Sequence, residues 1–293
     1  MMAEKNTPLK QRNTWRVGGA AEYFIEPESA EQLSQFLAQH GDRFEQITWL
    51  GLGSNVLIPD EGLSGLVIST AKLNKLVLVE SDLIYAEAGV PCAKLAKFCT
   101  KNKLAGGAFF AGIPGTVGGA LAMNAGAFGG ETWPLVYQLD IIEKQGEVSR
   151  KASHDFAYSY RQVRYINKEN CGFLSGIMRF QQDDNLSEES IRHLLKKRSE
   201  TQPIGTFNCG SVFRNPPGDH AARLIELCGL KGKQIGGAIV SVKHANFIIN
   251  HDNATANDIE RLIQNVKNTV FQETGVTLEP EVKFLGWQGR DHS

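Results

Sequence analysis

Ala111-Gly112-Ile113-Pro114-Gly115-Thr116-Val117-Gly118-Gly119-Ala120, continued by Asn124-Ala125-Gly126-Ala127-Phe128-Gly129-Gly130-Glu131, is the stretch on which the reading of this chain turns. Between Gly106 and Glu131 there are nine glycines in twenty-six residues. That density carries too much backbone entropy for the interior of a regular helix or strand, and the interleaved Phe, Ile and Met residues do not suit a flexible linker. The composition describes packed backbone that lets another group approach closely, with amides and hydroxyls able to wrap a diphosphate. The competing reading is a turn system that only packs strands. A second turn, Gly51-Leu52-Gly53-Ser54-Asn55, follows a short strand expected at Ile47 to Leu50 and can aim successive N–H groups at an anion. Neither stretch is a common nucleotide motif: Val56 stands where a dinucleotide fingerprint needs its third glycine, and Ile113 follows Gly112 where a P-loop has lysine.

Outward from these loops the chain alternates helix and strand signals. Ser29 with Gln32 suits a capping box ahead of an apolar stripe of Leu33, Phe36 and Leu37. Strands are expected at Leu66 to Ser69, Ile84 to Val90, Val136 to Ile142 and Phe173 to Phe180. Pro91 opens a helix with Cys92, Leu95, Ala96 and Cys99 on one face. Ser187 caps a helix carrying Ile191, Leu194 and Leu195, and the polar stretch from Gln181 to Ser187 is the expected edge of a domain. Beyond it come a short helix ended by Gly229, strands near Ile239 and Phe247, a long helix from Asp258 to Thr274 ended by Gly275, and a last strand at Glu281 to Leu285.

The whole chain has 293 residues, 42% of them hydrophobic, enough for one large domain or two to three smaller ones. Basic and acidic residues balance at 31 against 32, so net charge points to neither a nucleic acid nor a membrane surface as partner. No apolar run has the length of a spanning helix and Met1 to Arg12 lacks a signal-peptide core, so a cytoplasmic protein is expected. Cys92, Cys99, Cys171, Cys209 and Cys228 contain no C-x-x-C pair and read as buried thiols rather than disulfides or zinc ligands. His220, His244 and His251 have no metal-ligand spacing, and no metal site is expected.

Taken with Asn13-Thr14, Val17-Gly18-Gly19, Tyr160-Arg161, Cys209-Gly210-Ser211-Val212-Phe213-Arg214-Asn215-Pro216 and Pro280-Glu281-Val282, in that order, the two glycine-rich stretches resemble the UDP-N-acetylenolpyruvoylglucosamine reductase (MurB) family from about Asn13 to Gly286. The short spacing from Arg161 to Ser211 is similar to the compact type II subtype, which lacks a substrate-covering loop, so no capping tyrosine is carried over. Gln202-Pro203 stands where the longer subtype has a substrate lysine. The resemblance implies an α+β chain: an FAD-binding fold of the vanillyl-alcohol-oxidase (PCMH) type in two α+β subdomains, 1–70 and 71–200, and a C-terminal α+β substrate-binding domain, 201–293, whose last strand returns towards the active site. It places FAD against Gly51, Gly53, Ser54, Asn55, Gly112, Ile113, Pro114, Gly115, Thr116, Gly118, Gly119, Asn124, Ala125 and Gly126.

The implied reaction is reduction of UDP-N-acetylglucosamine enolpyruvate to UDP-N-acetylmuramate for peptidoglycan synthesis, with NADPH as reductant. Hydride added to the enolpyruvyl methylene leaves negative charge on the neighbouring carbon and its carboxylate. Three residues match the family's catalytic positions. Arg161, always cationic and able to bond a carboxylate in pairs, supports the enolate; Ser211 protonates it; Glu281 holds the substrate carboxylate. Tyr160, Arg214 and Asn215 fall where the nucleotide sugar would bind. Two other readings stay open at this point: an FAD-linked oxidase of an alcohol or hydroxy acid on the same fold, and a flavin or nucleotide-sugar binder without catalysis.

Overall fold

The computed structural model describes residues 1–166, 171–187 and 189–287. Two compact units are present, each built from separate stretches of chain. Unit 1 comprises Met1–Glu4, Phe24–Leu52 and Gly65–Arg198; unit 2 comprises Lys5–Tyr23, Gly53–Ser64 and Ser199–Ser293. The changeover after Arg198 falls inside helix α4, Glu189–Thr201, and not in the polar stretch expected from sequence.

Unit 1 opens with helix α1, Ala30–His40, whose Leu33, Phe36 and Leu37 are buried. Ser29 Oγ accepts from Gln32 N, while the Gln32 side chain accepts from Glu28 N instead of closing the capping box on Ser29. After α1, strand Ile47–Leu50 pairs in parallel with the end of strand Leu63–Ser69. A five-stranded antiparallel sheet forms the centre of the unit, in the order Val148–Ala152, Val136–Ile142, Gly172–Arg179, Leu83–Glu87, Leu76–Leu78. The strand expected to reach Val90 stops at Glu87, where the chain turns: Val90 N donates to Glu87 O at 3.0 Å and Gly89 N to Leu73 O at 2.7 Å.

Helix α2, Cys92–Lys101, buries into the same core, with Cys92, Leu95, Ala96 and Cys99 all 0% exposed. Helix α3, Val117–Met123, runs through the glycine-dense segment, contrary to the expectation of no regular structure there. Val117, Ala120 and Leu121 bury into the core of the unit, and that tertiary packing outweighs the poor helix preference of Gly118 and Gly119. Strands Phe156–Ser159 and Gln162–Tyr165 form a hairpin whose two turn residues are Tyr160 and Arg161.

Unit 2 packs helix α6, Ala256–Thr274, on the three strands Gln234–Ile235, Ala238–Val240 and Ile248–Asn250, with helix α5, Ala221–Leu227, against α6. Helix α6 buries Ile259, Leu262, Ile263, Val266 and Val270, each contributing about 1.5–3 kcal/mol on removal from water. Its first turn is fully capped. Thr255 and Asp258 form a reciprocal capping box, and the Asp60 carboxylate accepts from Ala256 N at 2.9 Å and Asn257 N at 3.0 Å. Gly275, φ 72°, ends the helix in the left-handed conformation. Trp15 joins this core and donates from Nε1 to Ile248 O, so Lys5–Tyr23 is packed with chain more than two hundred residues away. The last strand is shorter than expected: Lys283–Phe284 pairs in parallel with Val56–Leu57.

Candidate active site

In unit 1 the glycine-dense segment is pinned to the sheet. Cys92 N donates to Gly115 O, Val117 N to Val90 O and Gly118 N to Ala88 O. The Val117 and Gly118 amides, and those of Ile113, Ala120 and Ala125, which bond Phe110 O, Thr116 O and Ala120 O, are therefore already committed and not offered to a diphosphate. A side chain at Gly51 would meet Thr116 Oγ1 at 2.5 Å, at Gly112 the Phe128 ring at 2.5 Å and at Gly118 the Ala88 methyl at 2.8 Å. These glycines let protein strands approach one another. Gly119 differs: the nearest atom to an added Cβ is Thr116 Oγ1 at 3.9 Å, and the residue is exposed. Thr116 Oγ1 is itself buried with no hydrogen-bond partner among the described residues, an arrangement that ordinarily signals an absent donor or acceptor. Of the other residues in this group, Ile113 and Ala125 pack against the hydrophobic core and Pro114 is exposed.

Asn124 ends α3 in the left-handed conformation, φ 43°, and is 1% exposed. Its side chain bonds Glu131 Oε2, Ser159 O and Trp133 N, tying the glycine segment to the neighbouring hairpin. Arg161 answers from the hairpin turn. Its guanidinium donates to Asn124 O at 3.3 Å and Gly126 O at 3.1 Å and lies 5.0 Å from the centre of the exposed Tyr160 ring. The Arg161 backbone is left-handed, φ 58°, a conformation that costs an arginine on the order of 1–2 kcal/mol. Strain of this kind persists where surrounding contacts over-determine it, and it often marks functional positions.

Unit 2 brings together residues that are far apart in sequence. Gly53, φ 62°, sits against Arg12 O and Asn13, where no side chain fits. Asn55, taken from sequence as a cofactor contact, donates from Nδ2 to Glu281 O at 3.1 Å and accepts from Lys283 N through its carbonyl at 3.0 Å. Glu281 N donates to Val212 O at 2.7 Å, and Phe213 and Pro280 form an antiparallel bridge. Ser211 and Glu281 thus lie on neighbouring extended segments. The Ser211 hydroxyl has no partner among the described residues, and Gly210 before it, φ 82°, is open on its Cα face. Ser54, from the same loop as Asn55, is half-buried.

Charge gathers around this pair. Burial, and then the negative charge of Glu281, push the Cys209 thiol well above its ordinary value. Arg214 is mostly buried, its Nε has no partner among the described residues, and its NH1 stands 3.7 Å from Glu279 Oε2. Lys283 is exposed by overall surface, yet desolvation of its ammonium, followed by the positive charge of Arg214, lowers its pKa against the opposing pull of Glu281. Asn215 accepts from Ala221 N at 3.1 Å and so caps α5, a structural duty its position in the motif did not disclose.

The C-terminal domain of UDP-N-acetylenolpyruvoylglucosamine reductase is matched by residues 202–285, and an FAD binding domain by residues 21–151. The chain is 51% identical to the UDP-N-acetylenolpyruvoylglucosamine reductase of Coxiella burnetii (strain Dugway 5J108-111), covering 95% of this chain and 94% of that protein. It belongs to the UDP-N-acetylenolpyruvoylglucosamine reductase family. A second member of the reductase family, from Legionella pneumophila (strain Corby), is 48% identical over 96% of this chain and 91% of its own. A solved reductase structure from Thermus caldophilus superposes with a TM-score of 0.82 at 28% identity, covering 97% of this chain and 99% of that one. The α+β, PCMH-type reading of the fold therefore stands. The residues of unit 1 fit the FAD that a reductase of this family uses: a buried hydroxyl at Thr116 lacks a partner among the described residues, and the backbone at Gly119 lies open beside it.

Sequence reasoning missed two residues of unit 2. Lys283 was legible in principle, because strand alternation puts it on the same side as Glu281, two residues earlier. Asn246 carried no such signal; its side chain bonds the backbone of Phe213, thirty-three residues away.

Proposed function

We infer that this chain reduces UDP-N-acetylglucosamine enolpyruvate to UDP-N-acetylmuramate in peptidoglycan precursor synthesis. The chemistry supplied by FAD when bound is hydride transfer to the enolpyruvyl methylene carbon, with NADPH as reductant. The protein's own residues handle the charge and the proton. Arg161, fixed to the Asn124 and Gly126 carbonyls, keeps a permanent positive charge for the enolate and its carboxylate. Ser211 gives its hydroxyl proton to the carbon that bears the negative charge, which completes addition of hydride and proton across the double bond. Glu281 orients the substrate carboxylate. Tyr160, Arg214 and Asn215 contact the nucleotide sugar, Arg214 through the Nε that has no partner among the described residues.

The observation that carries the site assignment is the 2.7 Å bond from Glu281 N to Val212 O, which brings the Ser211 and Glu281 segments side by side from seventy residues apart. In this reading 1–70 and 71–200 supply the two cofactor-binding subdomains, with Thr116, Gly119 and their loops against FAD. Residues 201–293 take the nucleotide sugar, and Lys5–Tyr23 and Gly53–Ser64 of the first subdomain cluster with them in unit 2. A cytoplasmic setting agrees with five free thiols and with NADPH as a soluble reductant. No helix among the described residues is long and apolar enough to cross a membrane.

The test is a flavin spectrum followed through one turnover. The yellow protein should bleach with NADPH and recover its colour on anaerobic addition of the enolpyruvyl nucleotide. In Ser211→Ala bleaching should keep its native rate while recovery slows about 100-fold or more. Recovery at the native rate would remove Ser211 from its role. Turnover that needs oxygen and no nucleotide sugar would overturn the reaction.

A further inference from the structure

The segment that carries Ser211 is held on two edges by unrelated parts of unit 2. On one edge, Glu281 N and Val282 N approach Val212 O at 2.7 and 3.4 Å, and Arg214 N donates to Glu279 O at 2.9 Å. On the other edge no strand lies among the described residues, and a single residue takes its place. Asn246 O accepts from Val212 N at 2.9 Å, Asn246 Oδ1 accepts from Phe213 N at 2.9 Å, and Asn246 Nδ2 donates to Phe213 O at 2.8 Å. Every backbone polar group from Val212 N to Arg214 N is paired as a result.

Asn246 is 4% exposed and sits in the turn between strands Ala238–Val240 and Ile248–Asn250. That turn is itself rigid. Ser241 N donates to Phe247 O at 2.8 Å, Ser241 Oγ accepts from Lys243 N and His244 N, and Asn246 N approaches His244 Nδ1 at 3.3 Å. Ahead of Ser211, Gly210 N donates to Asn208 Oδ1, and a methyl group added at its Cα would meet no atom within 4 Å. On its C-terminal side the orientation of the Ser211 hydroxyl is set by Val212 and Phe213.

We propose that Asn246 is a positioning residue for the protonation step, its amide serving as the missing strand that fixes Val212 and Phe213 and through them the Ser211 hydroxyl. The proposal rests on the reading of Ser211 as proton donor. An amide is required because the same side chain must accept from Phe213 N–H and donate to Phe213 C=O. Alanine does neither, and aspartate, similar in shape, keeps the acceptor and loses the donor. Displacement of a reacting group by about 1 Å is enough to slow a step about 100-fold, and the buried groups left unpaired supply the drive for displacement.

The experiment uses the FAD-loaded protein in rapid mixing, with flavin reduction by NADPH and reoxidation by the enolpyruvyl nucleotide measured separately. Asn246→Ala should keep flavin content and reduction within about twofold of native while reoxidation slows about 10–100-fold; Asn246→Asp, which preserves packing if the alanine variant does not fold, should slow the same half-reaction. In Ser211→Ala background the Asn246→Ala change should add less than about threefold, since a residue acting through Ser211 has nothing left to position. Reoxidation at the native rate in both Asn246 variants, or a full multiplicative loss in the double variant, overturns the proposal. A native rate in Ser211→Ala alone instead defeats the donor assignment, and with it the proposal, so the two failures are read from different proteins.

Discussion

Gly118 and Gly119 are adjacent residues in the first turn of α3, yet an added methyl group meets different surroundings at each. At Gly118 it would stand 2.8 Å from the Ala88 Cβ and 3.1 Å from the Ala88 carbonyl. Carbon atoms prefer about 3.5–4.0 Å, so helix or sheet has to move, at about 1–3 kcal/mol for an overpacked site. The better helix preference of alanine returns at most about 1 kcal/mol. Gly118→Ala should therefore lower the stability of the FAD-free protein by about 1–2 kcal/mol. At Gly119 the nearest atom is 3.9 Å away and φ is not positive, so Gly119→Ala should leave FAD-free stability unchanged or raise it by up to about 1 kcal/mol. If the flavin nucleotide lies over that open backbone beside Thr116, the same methyl group should weaken FAD binding about tenfold or more, each tenfold being about 1.4 kcal/mol. The assay is urea unfolding of flavin-stripped protein together with titration of FAD by fluorescence quenching. Native affinity in Gly119→Ala, or the same stability change in both variants, would refute the placement of the cofactor.

Other outcomes rest on single contacts. Asp60→Ala removes two charge-assisted bonds from the first turn of α6 at an exposed position and should lower the urea midpoint by an amount equivalent to about 1–2 kcal/mol, with no change in slope; an unchanged midpoint would mean that water replaces Asp60 without loss. Burial pushes the Cys92 and Cys99 thiols up to about 12, so a thiol reagent at pH 7.5 should label Cys171 and Cys228 ahead of them in the native protein, as read by mass spectrometry. Burial also lowers the pKa of His244 below its ordinary 6.5. The unfolded chain then binds a proton that the folded one resists, so this contribution to stability is full above pH 6.5 and declines as pH falls below it. His244→Gln should flatten that slope in urea midpoints measured from pH 7.5 to 5.5.

What could be read ahead of the structure was local. The caps at Ser29 and Gly275, the apolar face of α2 and the strand from Val136 to Ile142 are written in spacings of two to four residues, and the chain obeys them. Helix α3 was hidden because its glycines argue against a helix while the burial of Ala120 and Leu121 that favours one depends on a sheet built from distant strands. The site divides in the same way. The glycines that matter were visible as glycines, but whether each faces protein, as Gly118 does, or open space, as Gly119 does, depends on what folds against it. Asp60 makes the same point for stability: the spacing read from sequence starts the helix at Asp258, whereas the carboxylate that completes its cap at Ala256 arrives from 196 residues upstream with no spacing rule to reveal it. Residues such as Asn55, Asp60 and Asn246 pair their side chains with backbone far away in sequence. They join the separate stretches of unit 2 into one body, and that joining is what sets the segments of Ser211 and Glu281 beside each other.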